Sequence, residues 1–240
     1  MTLPDGVIEG QLNPLERAQI SSALLRLGRK DPICLEVGTY KGGGSTLQIL
    51  AVLAKTGGAL FGIEASPTIF QEMREALLKQ EPDLCQRFHP ILGFSQEQIP
   101  ALVQSGQLPR VDFVFLDGGN NPREQIEELG LLDPKMPTGS ILMAHDALLR
   151  KGKWLRRILP LLDHYQTEIL KLSEEGLLVA KKIRLRPSWR SRLAAWACFL
   201  FCCASPLELA AILFPPVLRN LFFEVVPAGW ARRLADGRRH

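Results

Sequence analysis

The stretch Ile33-Cys-Leu-Glu-Val-Gly-Thr-Tyr-Lys-Gly-Gly-Gly-Ser-Thr-Leu47 restricts what this chain can become more than any other. A short apolar run carries Glu36, a loop with Gly38, Gly42, Gly43 and Gly44 follows, and Ser45-Thr46 open an apolar helical pattern. Strand, glycine turn and helix N-terminus together bring bare backbone N–H groups to a ligand at the carboxyl ends of an α/β sheet. Glycine permits the close approach. Glu36 supplies an acceptor for a ligand's ammonium or hydroxyl groups. No Gly-Lys-Ser/Thr closes the loop, and the spacing is not Gly-x-Gly-x-x-Gly, which disfavours a P-loop and a dinucleotide site. The expected ligand is nucleotide-like and carries little phosphate.

The rest of the chain builds a sheet around this unit. Asn13-Pro14-Leu-Glu16 reads as a helix start, with the helix running to about Lys30 and Leu15, Ile20, Ala23, Leu24 and Leu27 on its apolar face. Strand-type runs follow at 59–63, 89–92, 111–116 and 139–144, each separated from the next by a helical pattern. Residues 166–172 and 177–183 read as an antiparallel hairpin. The pattern predicts an α/β fold, a Rossmann-like doubly wound sheet of five parallel strands with a C-terminal antiparallel hairpin. Four of the parallel strands end at or beside an acid: Glu36, Glu64, Asp117 and Asp146. These acids are expected to line one crevice.

Composition adds a boundary. The chain has 240 residues, enough for one well-buried domain with an appendage, here divided as 1–183 and 184–240. The net charge of +4 is unevenly placed, since residues 184–240 hold many arginines and only Glu208, Glu224 and Asp236 as acids. The basic residues sit among apolar ones, not on a polar face, so nucleic-acid binding is not expected. Five cysteines with no metal-type spacing and no disulfide framework point to a reducing compartment. The start of the chain lacks a signal-peptide pattern, which together predicts a cytoplasmic protein.

With these residues in view, the chain resembles the class I S-adenosylmethionine-dependent methyltransferases, and among them the small O-methyltransferases of the catechol and caffeoyl-CoA type. The resemblance spans residues of about 13 to 183. It implies that Glu36, Gly38 and Gly42 hold the methionine part of S-adenosylmethionine and that Glu64 accepts both ribose hydroxyls. Gly93-Phe-Ser95-Gln96 matches a turn beside the adenine. Ser45 stands one step away from the family's serine, which contacts the cofactor carboxylate. Tyr40 reads either as an aromatic face for the sulfonium or as loop packing. Asp117 and Asp146 match positions that bind substrate and often a divalent cation, with Asp117 also expected at the cofactor; the set Asp117, Asp146 and His145 would take Mg or Mn, or no metal at all.

There are departures from the family pattern. Ala147 follows Asp146 where metal-dependent members carry Asn, and Asn120 stands where the catechol enzymes carry a lysine base. His145 is then the first candidate base, since an ordinary imidazole pKa of about 6.5 suits proton removal from a hydroxyl. The alternative for His145 is a neutral ring bonded within its loop. The activity implied is O-methylation of a hydroxyl on a small, lipid-linked or sugar-type acceptor. The competing reading is a non-catalytic binding or assembly module of the same fold.

The tail is additional to that fold. Arg184-Leu-Arg-Pro-Ser-Trp-Arg-Ser-Arg192 leads into the uncharged run Leu193–Ala204, and Pro206 and Pro215-Pro216 break the apolar pieces that follow. None reaches the ~20 residues of a spanning helix. Apolar pieces flanked by Arg and Trp predict association with the inner face of a membrane through 184–240. A helical cap or a homodimer interface is the alternative.

Overall fold

The computed structural model describes residues 10–80 and 82–200. The elements in chain order are α1 (Pro14–Arg26), β1 (Ile33–Val37), α2 (Ser45–Thr56), β2 (Ala59–Glu64), α3 (Pro67–Gln80), α4 (Pro82–Cys85), β3 (Phe88–Leu92), α5 (Ser95–Gln104), β4 (Phe113–Leu116), α6 (Pro122–Leu132), β5 (Ile141–Ala144), α7 (Lys153–Ile158), β6 (Tyr165–Leu170), β7 (Leu177–Lys182) and α8 (Trp189–Cys198). They form a seven-stranded sheet in the order β3-β2-β1-β4-β5-β7-β6. The first five strands pair in parallel, and β7 joins β5 antiparallel with β6 outermost. The expected doubly wound sheet with a terminal hairpin is what forms. Strand order reverses between β1 and β4, where such sheets open a crevice.

Period-two alternation assigns each strand residue to a face. Cys34, Phe113, Phe115, Ile141 and Met143 pack with Ile20, Leu50 and Met73 on one side. Leu35, Val37, Val114, Leu116, Leu142 and Ala144 pack with Ile99, Leu129 and Leu155 on the other. Parallel strands covered on both faces need this near-continuous apolar sequence. Glu36 alternates onto the Cys34 face, under α2.

Two anchors hold the frame away from the crevice. The fully buried Asp112, just before β4, accepts the Ile33 N–H at 2.9 Å and Arg110 Nε at 3.0 Å, and pairs with Arg29. Asp133 accepts Lys182 Nζ at 2.8 Å, the Tyr165 hydroxyl at 2.7 Å and His164 Nε2 at 3.0 Å.

Helix α1 departs from its expected form. It stops at Arg26, short of Lys30, because Gly28 takes φ +63° and turns the chain away. Leu15, expected on its apolar face, is exposed, and Glu16 is buried instead. The Asn13 side chain accepts the Leu15 and Glu16 N–H groups while the Glu16 carboxylate accepts the Asn13 N–H at 3.2 Å, a capping box that turns Glu16 inward.

The chain up to Ala195 forms one compact unit, and the chain from Trp196 onward is a second. The first unit thus runs past the expected boundary at residue 183. Asp163 holds the added segment by accepting the Ser188 N–H and the Ser191 hydroxyl, each at 2.9 Å. Tail readings that rest on residues 201–240, including the proline-broken apolar pieces, lie outside the described residues. Among the described residues, no helix is long and apolar enough to cross a membrane.

Candidate active site

A cavity of ≈ 370 Å³ opens at the carboxyl ends of β1, β2 and β4. Gly38, Tyr40, Glu64, Ser95, Gln96 and Asp117 line it, so six of the expected cofactor residues converge there. Gly38 is fixed by sterics, because a Cβ on it would lie 2.6 Å from the Gly118 nitrogen. Only bare backbone lets the loops after β1 and β4 meet. Glu64 pins the loop after β1 and the one after β2 by accepting the Tyr40 N–H at 3.0 Å with Oε2 and the Ser66 N–H at 2.9 Å with Oε1. Its oxygens are thereby oriented, and each keeps lone-pair capacity for a ligand hydroxyl.

Three other expected cofactor residues, Glu36, Gly42 and Ser45, do not line this cavity. Glu36 is fully buried and accepts the Ser45 hydroxyl and the Thr46 hydroxyl, the latter at 2.8 Å. Burial pushes its carboxyl up to about 7, against the pull of those two hydroxyls. It ties β1 to the first turn of α2 and is not an acceptor offered to a ligand, as its position in the sequence had suggested. Gly42 faces Met73 and Leu77 of α3. The extra glycines before Ser45 have a structural use, since Gly10 of the lead-in packs directly on the Gly43–Gly44 peptide.

A second cavity, of ≈ 580 Å³, lies beside the first and shares Gln11, Asp117, Gly119 and Asn120 with it. Its walls include Glu16, His145, Asp146 and Lys151. The His145 ring is buried, with Nδ1 3.2 Å from Asp146 and 3.5 Å from Asp117, and Nε2 3.3 Å from Glu16. Burial alone would depress its pKa, but hydrogen bonds to Asp117 and Asp146 outweigh burial and raise it to about 10. Both ring nitrogens face carboxylates, so His145 is an imidazolium near neutral pH. The expectation of an ordinary imidazole base is corrected by that environment. Asp146 is correspondingly held down at about 2, through its bond to His145 and then Lys151, against the effect of burial. It also adopts φ +59°, a conformation a non-glycine residue holds only when its surroundings fix it.

Lys151 completes the cluster. Its ammonium donates to Asp117 Oδ1 at 2.9 Å, to the Asp117 carbonyl at 2.8 Å and to Asp146 Oδ2 at 2.9 Å. Asp117, His145 and Asp146 each bring a ligand atom within 4.8 Å of the others, the arrangement a metal ion requires. The ammonium already bridges the two carboxylates that such an ion would need. Ala147, where a further oxygen ligand was sought, is packed in the core. With Lys151 in place this donor set does not fit a divalent cation.

The sequence reading passed over Lys151, Glu16, Gln11 and Glu128. Arg150, Lys151 and Lys153 stand close together, and nothing in the sequence marks the one that turns inward. Glu16 looked like an ordinary first-turn acid; its burial depends on Ser173, which donates to it at 2.7 Å from the β6–β7 turn. Glu128 lines the first cavity and accepts the Ser95 hydroxyl at 2.6 Å, and burial raises its carboxyl to about 7.

Residues 35–147 match a family model described as a methyltransferase domain. Over those residues the chain carries a methyltransferase domain. Solved structures agree in fold. A Podospora anserina methyltransferase bound to S-adenosylhomocysteine superposes with TM-score 0.58 at 15% identity, covering 72% of this chain and 80% of that one. The Bacillus cereus O-methyltransferase in complex with S-adenosylhomocysteine gives 0.56 at 20% identity, covering 72% and 82%. The TDP-rhamnose 3'-O-methyltransferase of calicheamicin biosynthesis gives 0.56 at 15% identity, covering 70% and 79%. No curated protein matches the sequence. At these identities the structures establish the methyltransferase fold and leave the acceptor to be argued from the site.

Proposed function

We propose that this methyltransferase transfers the methyl group of S-adenosylmethionine to a hydroxyl oxygen of a small or sugar-type acceptor. The observation that carries the reading is the pair of adjoining cavities that share Asp117. The cofactor takes the smaller cavity, with its ribose hydroxyls on Glu64, its adenine near Ser95 and Gln96, and its sulfonium between Tyr40 and Asp117. The acceptor takes the larger one. Its oxygen attacks the methyl carbon in line with the sulfur, so the new O–C bond forms as the C–S bond breaks and sulfur keeps the electron pair. Alignment supplies most of the acceleration in such a displacement. Asp117, facing both cavities, receives the acceptor hydroxyl's hydrogen bond and proton. His145 and Asp146 act as positioning residues for that carboxylate. Acidic walls also favour the cationic cofactor. A sugar-type acceptor suits a cavity walled by Gln11, Asn13, Asn120 and Ser173, all hydrogen-bonding groups, and one fold relative acts on a sugar nucleotide.

Calorimetric titration of the full chain with S-adenosylhomocysteine tests the cofactor assignment. Glu64→Gln is expected to weaken binding about 100-fold, as two hydrogen bonds to a charged acceptor are lost. Unchanged affinity overturns the placement.

We also propose that the basic segment from Arg184 onward holds the protein on an anionic membrane surface. The support is the orientation of α8. It buries Ser191 and Ala195 and exposes Trp189, Leu193 and Trp196, so its larger apolar groups face outward.

A further inference from the structure

The Asp117–Asp146 pair has the form of a cation site and already holds a cation from its own chain. Lys151 has three N–H donors, and all three are committed, to the Asp117 and Asp146 carboxylates and to the Asp117 carbonyl. The side chain is 9% exposed, so it is no surface lysine resting on an acid. The loop is shaped to deliver it. Asp146 at φ +59° turns the chain out of β5, and Gly152 brings it back so tightly that a Cβ there would lie 2.5 Å from the Asp146 carbonyl oxygen. Arg156 Nη1 closes the turn on the Ala147 carbonyl at 2.8 Å. A divalent ion binding at ~2.0–2.6 Å would need the same carboxylate oxygens. It would have to expel a buried ammonium and leave three hydrogen bonds unmade.

We propose that Lys151 is an internal replacement for a divalent cation, holding Asp117 and Asp146 together and keeping a fixed positive charge on the wall of the acceptor cavity, so that the site works without metal. The role in the acceptor cavity rests on the function proposed above; the exclusion of metal does not. Lys151 is a positioning residue. Its donors are spent on protein oxygens, and it acts by orienting Asp117 and by favouring negative charge on the acceptor oxygen as its proton leaves.

The test titrates Mn²⁺ into the full-length protein and follows free metal by electron paramagnetic resonance, with no cofactor or acceptor present. Wild type is expected to show no saturable binding up to about 1 mM metal. Lys151→Ala, and Lys151→Gln as a variant closer in volume, free the carboxylate pair and are expected to bind Mn²⁺ at least about tenfold more tightly than wild type, a gain worth about 1.4 kcal/mol. Lys151→Arg keeps the charge and should stay metal-free. Thermal melts establish which variants fold. Saturable binding by wild type overturns the proposal on its own, whatever the variants do. So does a folded Lys151→Ala or Lys151→Gln that still binds nothing, since the pair would then never have been a cation site. A parallel S-adenosylhomocysteine titration reads the methyltransferase assignment separately, so that failure of one leaves the other standing.

Discussion

Glu36 holds a carboxylate with no solvent exposure, satisfied by the hydroxyl donors of Ser45 and Thr46. Burial wins over those hydrogen bonds, with Asp117 and Glu64 adding repulsion, and lifts its pKa from an ordinary 4.5 to about 7. A carboxyl raised in the folded state binds more protons there than in the unfolded chain. Its contribution to stability is therefore fully present below about pH 4.5 and is lost as pH rises through about 7. Glu36→Gln keeps an acceptor for one hydroxyl and an amide that the other can accept from, without a charge to bury. Thermal melts should show the variant more stable than wild type at pH 8, by about 5 °C, with the gap closing by pH 5. Equal melting temperatures at both pH values would show that the buried charge is relieved elsewhere in the fold. The sequence carried half of this. Alternation in Cys34-Leu-Glu-Val places Glu36 on the Cys34 face, away from Leu35 and Val37, but which helix covers that face depends on the packing of α2 against β1. A residue read as a ligand contact thus became a brace for the loop that makes the contacts.

At the scale of elements, the sheet has a chemical end and a mechanical end. Glu64, Asp117 and Asp146 gather at the carboxyl ends of β2, β4 and β5, while Asp112 ties the opposite ends of β1 and β4 to Arg29 and Arg110. Asp112 is 0% exposed and its arginine partners are partly solvated, so removing its carboxylate frees the two guanidinium groups to water and leaves the Ile33 N–H unpaired. Asp112→Ala is expected to destabilise the fold by about 1–3 kcal/mol in urea unfolding. S-adenosylhomocysteine affinity of the folded fraction should stay within about threefold of wild type, since the anchor lies at the far end of the strands. A large affinity loss in the folded protein would mean that the two ends are coupled. Strands β2 and β4 were the most legible, because each is an apolar run bounded by glycine or acid, and the β4 run from Phe113 to Leu116 is unbroken. The loop from Asp146 to Lys153 was not, because its course depends on a positive φ at Asp146 and a contact at Gly152 that leave no periodic trace. For the same reason the acids of the site could be anticipated and the lysine between them could not.

At the scale of the whole chain, charge is unevenly placed along the sequence. The domain gathers carboxylates in its crevice, and the chain after Ile183 is rich in arginine. Helix α8 carries Trp189, Leu193 and Trp196 at i, i+4 and i+7, all exposed, with Arg190 lying 5.4 Å from the Trp189 ring. An apolar stripe bordered by guanidinium groups suits the boundary between lipid headgroups and acyl chains, where tryptophan also settles. Each basic residue near an anionic leaflet contributes about 1 kcal/mol, and each buried large side chain adds about 1.5–3 kcal/mol. A handful of such groups supports reversible binding without any spanning helix. The full chain should therefore co-sediment with vesicles containing phosphatidylserine and much less with pure phosphatidylcholine vesicles. Raising salt from 0.1 M toward ~1 M, where the screening length falls from about 10 to about 3 Å, should release most of it. Trp189→Ala combined with Leu193→Ala should weaken the residual, salt-resistant part, because those side chains supply the apolar share. If the protein stays in the supernatant with both vesicle types at low salt, the outward face of α8 has another use, and self-association measured by ultracentrifugation becomes the expected result. If it sediments, the membrane holds the domain by the end of the sheet opposite the crevice, because β7 runs antiparallel to β5 and Lys182 at its end donates its N–H to the Ser140 carbonyl just before β5.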